Sequence, residues 1–183
     1  MVSYKIMKAA LELGLNYNDI PDMIEITDRV PIAAWGVNKE TRESKIFVNP
    51  KIVKFPIKQI QIVLRHEVLH YAGYKELGIL GNKFLENLVL DVVINRILSF
   101  PYPDDLKKLS KRVYPPESKN TPLALAQIHL KDDPDFCATK EGAGKTKTKE
   151  DKKILELYDE IWFEDEVPSP LSLYYRLFKG NKV

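Results

Sequence analysis

Cysteine occurs once, as Cys137, which excludes an internal disulfide framework. No apolar run approaches the ~20 residues that a membrane helix needs. The N-terminus lacks the basic start, apolar stretch and small-residue cleavage site of a signal peptide. These absences predict a cytoplasmic protein without a membrane partner. An excess of charge of one sign is missing too. With 28 basic and 26 acidic residues the formal net charge is +2, too small a field to recruit nucleic acid. Histidine is scarce, with three in 183 residues, and the three methionines all lie within the first 23 positions. A chain of this length supports one domain with a real core, and a single domain over residues 1–183 is expected.

Two of the three histidines fall in His66-Glu67-Val68-Leu69-His70. On a helix, positions i and i+4 lie on one face about one turn apart, so both imidazoles reach a single ion. The glutamate after the first histidine is near enough to take a proton from a water that the ion activates. By composition the pattern arises by accident in on the order of one per cent of chains this long, so its surroundings have to support it. They do, because Ile60, Ile62, Val63 and Leu64 make the segment apolar. His66, Glu67 and His70 are therefore expected to be buried polar groups in need of partners. A metal supplies them, and the alternative is satisfaction by hydrogen bonds within the core.

Upstream, Tyr4 to Leu13 repeat apolar residues at helical spacing and stop at Gly14, which predicts a short amphipathic helix. From Met23 to Phe47 the pattern changes to short β runs around a polar connection, Asn38 to Ser44, an antiparallel hairpin or meander. Beside an active helix, an edge strand of this kind commonly holds an extended substrate by strand addition. Asn49-Pro50 ends the last strand, Pro56 opens the histidine helix, and Gly73 is expected to close it.

A second helix is expected from about Asn82 to Ser99, apolar on nearly every side from Leu88 onward. Asn87, Asp91 and Asn95 recur at four-residue spacing and form a polar line on it. A buried carboxylate without a partner is costly, and facing a cation removes that cost. If the helices pack antiparallel, Asp91 comes opposite His66 and His70 and completes a three-ligand site with one position open to water, as catalytic zinc requires. The alternative is that Asp91 pairs with Arg65 or Arg96. Asn95 and Asn87 are then outer residues, with Asn95 orienting a histidine through its other ring nitrogen. Glu76 is a rival third ligand. His70 to Glu76 imitates the metzincin extension, in which a glycine breaks the helix before a further ligand. The methionine turn of that clan has no counterpart downstream. Glu86 is off the Asp91 face.

The pairing of His66-Glu67-Val68-Leu69-His70 with Asn87, Asp91, Ile94 and Asn95 resembles the metallopeptidase domain that precedes a von Willebrand A-like domain in bacterial and phage proteins. Phe47-Val48-Asn49-Pro50 resembles that family's passage from strand to helix, and the likeness covers roughly Ile32 to Leu98. Val89 stands where the family has a small residue, and Lys75 where a further histidine is common. The resemblance implies a zincin-like fold with the metal held by two histidines and an acidic residue. The expected class is thus α+β: a zincin-like single domain with a small antiparallel or mixed sheet on an active-site helix and a second core helix. Its core spans about residues 23–100, and residues 101–183 form a wrapping, helical C-terminal extension.

In that extension six prolines lie between Pro101 and Pro134, with a short helix or two expected near Leu123 to Leu130. His129 has no partner at metal-site spacing, and Thr139 to Lys153 reads as a mobile polar loop. Ile154 to Phe163 and Ser169 to Phe178 read as amphipathic helices, with Leu171, Leu173, Tyr174 and Leu177 docking the chain end. The expected activity is zinc-dependent hydrolysis of peptide bonds in a peptide or protein substrate, with Glu67 as general base. Tyr71, Tyr74, Arg96 and Tyr114 are candidates to stabilise the oxyanion. From another class, the rival is a metal-stabilised interaction module or a latent peptidase.

Overall fold

Asn49 ends one strand, starts the next turn and ties both to a third segment. Its backbone N–H donates to Ile32 O at 2.8 Å, its side chain accepts from Lys51 N at 2.9 Å, and its Nδ2 donates to Val30 O at 2.7 Å. This is the satisfaction that a buried asparagine requires. In the computed structural model, residues 2–37, 41, 43–77, 81–113, 125–126, 149–163 and 166–180 are described, without the side chains of 74–77, 149–155 and 178–180. The chain is α+β and divides into two compact units, Met1–Ala72 and Gly73–Val183.

In the first unit, α1 (Tyr4–Glu12) is capped by Ser3, whose side chain accepts from Ile6 N, and the chain turns after it at Gly14, at φ +85°. A short α2 (Ile20–Met23) leads into β1 (Ile24–Ile26), followed by β2 (Ala33–Val37) and β3 (Ser44–Val48). The sheet is mixed, in the order β1-β3-β2. β2 and β3 form the expected antiparallel hairpin, while β1 pairs with β3 in parallel. Ile24, Ile46 and Val48 are buried on one side of the sheet. A 3₁₀ turn, Pro50–Lys54, then leads to α3 (Ile57–Leu77), whose Ile60, Ile62 and Leu64 are fully buried.

α3 does not stop at Gly73 but runs on to Leu77. The reason for the glycine is space. A Cβ at this position would stand 2.6 Å from Leu90 Cδ2, and Leu90 is itself buried. Gly73→Val is therefore expected to destabilise the protein by about 1–3 kcal/mol through overpacking, although glycine is the poorer helix former. Denaturant melts showing equal or greater stability would refute this account.

In the second unit, α4 (Lys83–Ser99) is capped by Asn82, whose Oδ1 accepts from Leu85 N at 3.1 Å. It packs against α5 (Pro103–Val113), α6 (Lys149–Phe163) and α7 (Pro170–Gly180). As its all-round apolar pattern predicts, Leu88, Val89, Val92 and Ile94 are buried. α5 is a helix for which the sequence reading gives no position within the expected helical extension. Its signals are ordinary ones, with Pro103 in the first turn, Asp104 and Asp105 beside the helix N-terminus and Lys111 and Arg112 in the last turn. α6 begins at Lys149, inside the segment expected to be a loop, whose residues 139–148 lie outside the described ones. Of Leu123 to Leu130 only Leu125 and Ala126 are described, and His129 and Cys137 are not. Leu173, Tyr174 and Leu177 of α7 are buried as expected, whereas Leu171 is exposed. Among the described residues no helix is long and apolar enough to cross a membrane.

α6 and α7 are joined by Arg176, which meets the Glu160 carboxylate with both guanidinium nitrogens, Nη2 to Oε2 at 2.6 Å. These hydrogen bonds hold the Glu160 carboxyl below its ordinary value of 4.5, against the opposing effect of burial. A depressed folded-state pKa contributes stability that is present above the unfolded value and lost as pH falls through the folded one. Wild type is therefore expected to lose more stability than Glu160→Gln as pH falls below about 4.5. Both side chains are partly exposed, so the difference should stay under about 1 kcal/mol. Identical acid denaturation of the two proteins would remove the pair from the stability balance.

Candidate metal centre

Because α3 is unbroken through the motif, His66 and His70 stand one turn apart with their rings facing. The ring centroids are 4.7 Å apart and the planes are inclined at 58°. The two Nε2 atoms approach to 2.9 Å, close enough to share a proton, with the donor set by the tautomer. His70 is buried and His66 half-buried. One ligand atom from each of His66, His70 and Asp91 can be chosen so that all lie within 4.8 Å of one another. Two ligands of a tetrahedral ion at zinc distances stand ~3.3 Å apart, so the two nitrogens lie within a few tenths of an ångström of that spacing. Two imidazoles and a carboxylate are a donor set that divalent transition metals accept. This group could hold a metal ion.

Asp91 is half-buried, more open than the all-round apolar pattern of α4 suggested. The reason is that the polar line begins on an exposed flank, where Phe84 is 56% exposed and Asn87 is exposed. Asn87 Nδ2 donates to Asp91 Oδ2 at 3.2 Å, one helical turn away, which orients the carboxylate from outside. Asn95 is buried, and its Nδ2 donates to Ala126 O at 2.9 Å. The Trp162 indole N–H bonds the neighbouring Leu125 O at 3.0 Å, so two core side chains hold one short segment of backbone. Arg96 donates to Ile161 O at 2.9 Å and lies 4.3 Å from the centre of the Phe100 ring.

Glu67 is buried at 8% exposure, and its Oε2 accepts a hydrogen bond of 2.7 Å from the backbone N–H of Trp35. Trp35 is the middle residue of β2, an outer strand. Asn49 N–H bonds Ile32 O, which turns the even-numbered positions of this segment toward β3 and the odd-numbered ones toward the open edge. Among the described residues no strand lies beyond β2, so the N–H of Trp35 is a ladder donor facing the open edge, and Glu67 takes the place of a further strand there. Sequence reasoning did not single out Trp35. The only signal available was that an edge strand was expected beside this helix, because a contact 32 positions apart leaves no trace in spacing.

Of the rivals, Glu86 is buried with its Oε1 accepting from Gly81 N–H at 2.8 Å, a bond that closes the turn before α4. Glu76 belongs to α3 by its backbone, which lacks the sharp break at Gly73 that would swing it toward the histidines, and its side chain lies outside the described ones. Among the oxyanion candidates, Tyr71 packs against Trp35 with ring centroids 5.6 Å apart, while Tyr114 and the side chain of Tyr74 lie outside the described residues. No family model matches the chain, and comparison with curated proteins and with solved structures gives no match either.

Proposed function

We propose that this protein is a zincin-like, zinc-dependent metallohydrolase that cleaves peptide bonds, with the metal held by His66, His70 and Asp91 and Glu67 as the general base. The observation that carries the reading is the combination of a potential three-ligand group with a buried glutamate held next to it in the chain by a backbone donor. A carboxylate serving only the core would be an expensive choice at 8% exposure. One positioned to receive a proton gains from a fixed donor that orients it.

Zinc bound here would supply a Lewis acid and lower the pKa of a water to about 7. The remaining tasks belong to the chain. Glu67 accepts the proton of the attacking water and returns it to the leaving amine, a shuttle that needs the carboxylate held in one orientation. Trp35 N–H provides that hold through Oε2, leaving Oε1 for the proton. Asn87, by bonding Oδ2, would hold the Asp91 carboxylate in one orientation as a ligand. The outward-facing N–H and C=O groups of Ala33 and Val37, on either side of the edge position that Glu67 fills at Trp35, are free of the β2–β3 ladder and offer single hydrogen bonds to the backbone of a peptide substrate.

The test has two parts. Elemental analysis of the purified protein should find one transition metal per chain, and a chelator should lower the melting temperature, because metal binds the native state only. The zinc-loaded protein should then cut members of a library of unstructured peptides in a chelator-sensitive manner. Absence of metal with melting unchanged by chelator would overturn the metal centre. Stoichiometric metal without cleavage would favour the metal-stabilised interaction module.

A further inference from the structure

We propose that Trp35 and Tyr71 form the specificity site of this enzyme, selecting a substrate with a large apolar side chain, best an aromatic one, at a residue flanking the scissile bond. The proposal rests on the peptidase reading above and adds a substrate class to it.

Register places the indole. Trp35 pairs with Ile46 and Ile46 with Ile24, and directly paired residues share a face of the sheet, so Trp35 projects on the same side as the buried Ile24 and Ile46. Tyr71 follows Glu67 by four positions on α3, which puts the two on one flank of the helix. Trp35 therefore meets both: Glu67 bonds its backbone N–H at 2.7 Å, and Tyr71 lies against its ring, the planes inclined at 53°. The aromatic pair is attached through one residue to the group proposed as the base. A strand advances only ~3.3 Å per residue, so a peptide side chain resting on the pair sits within one or two residues of the bond that Glu67 serves.

The pair is not closed off. Tyr71 is 40% exposed, Trp35 is half-buried, and Val68, three positions before Tyr71 on the same helix, is 42% exposed. These are apolar surfaces of incomplete burial beside a buried carboxylate. A large apolar side chain covers them, whereas a charged one would lose hydration without gaining a partner. Two tilted rings also present both edge and face, the arrangement against which a third aromatic ring packs well.

Peptides identical except for the residues on either side of the cut should show kcat/KM on the order of ten- to a hundredfold higher with Phe or Leu than with Gly or Asp at one of those positions. Tyr71→Ala, a change at an exposed position, and Trp35→Ala, which keeps the backbone N–H that Glu67 needs, should each flatten that preference. The loss should appear chiefly in the Phe and Leu peptides. The same ranking should appear as Kd for labelled peptides on metal-loaded Glu67→Gln protein, where hydrolysis plays no part. Cleavage by wild type without preference, or a preference unchanged in Tyr71→Ala, would overturn the specificity site and leave the peptidase reading standing. Neither cleavage nor binding of any peptide would overturn both.

Discussion

Glu67→Gln is expected to fold and to hold its metal while losing peptide hydrolysis by a factor on the order of 10²–10⁴. Glutamine preserves the size of the side chain, and its carbonyl oxygen still accepts from the Trp35 N–H that Glu67 Oε2 now receives at 2.7 Å. The tie between β2 and α3 therefore survives. What disappears is the proton acceptor, because an amide is not basic at neutral pH. Side by side, zinc content, circular dichroism and single-turnover cleavage separate these effects. Equal cleavage by wild type and variant would remove Glu67 from the mechanism. Loss of metal in the variant would show that the carboxylate is a ligand and not a base.

The second large effect distinguishes the ligands. His66→Ala, His70→Ala and Asp91→Ala should each weaken metal binding by more than the 10–100-fold that loss of an outer partner costs, because each removes a donor atom. Asn87→Ala should fall within that 10–100-fold range, since it frees the carboxylate it now orients at 3.2 Å. Glu76→Ala should leave affinity unchanged, because α3 continues without a break at Gly73. Competition titrations with a chromophoric chelator give the ranking directly. Full affinity in Asp91→Ala together with its loss in Glu76→Ala would reverse the assignment and with it the likeness to the two-histidine, one-acid family pattern.

What the sequence determined by itself is what neighbouring residues decide. A histidine pair at i and i+4 faces one way on any helix, so His66 and His70 come together before any packing is known. Caps are equally local. Ser3, Asn49 with Pro50 and Asn82 mark element starts because a side-chain oxygen two or three residues away satisfies an orphan N–H. The apolar content of α4 made it a core helix for the same reason: from Leu88 onward its composition left only a narrow polar line among apolar residues.

Only tertiary structure decided the rest. Gly73 carries the composition of a helix stop, yet the helix passes through it, and the missing side chain leaves the space that Leu90 fills. β1 pairs directly and in parallel with β3, although β2 lies between them in the sequence, which buries Ile24 beside Ile46 and owes nothing to a turn between them. Asn95, placed by periodicity on the polar line with Asp91, finds Ala126 O at a separation of 31 residues. Trp35 becomes the partner of Glu67 because an edge strand turns one row of donors away from its own ladder, and a buried carboxylate needs a donor. Both needs are legible in the sequence one at a time, but that they meet is a property of the folded chain.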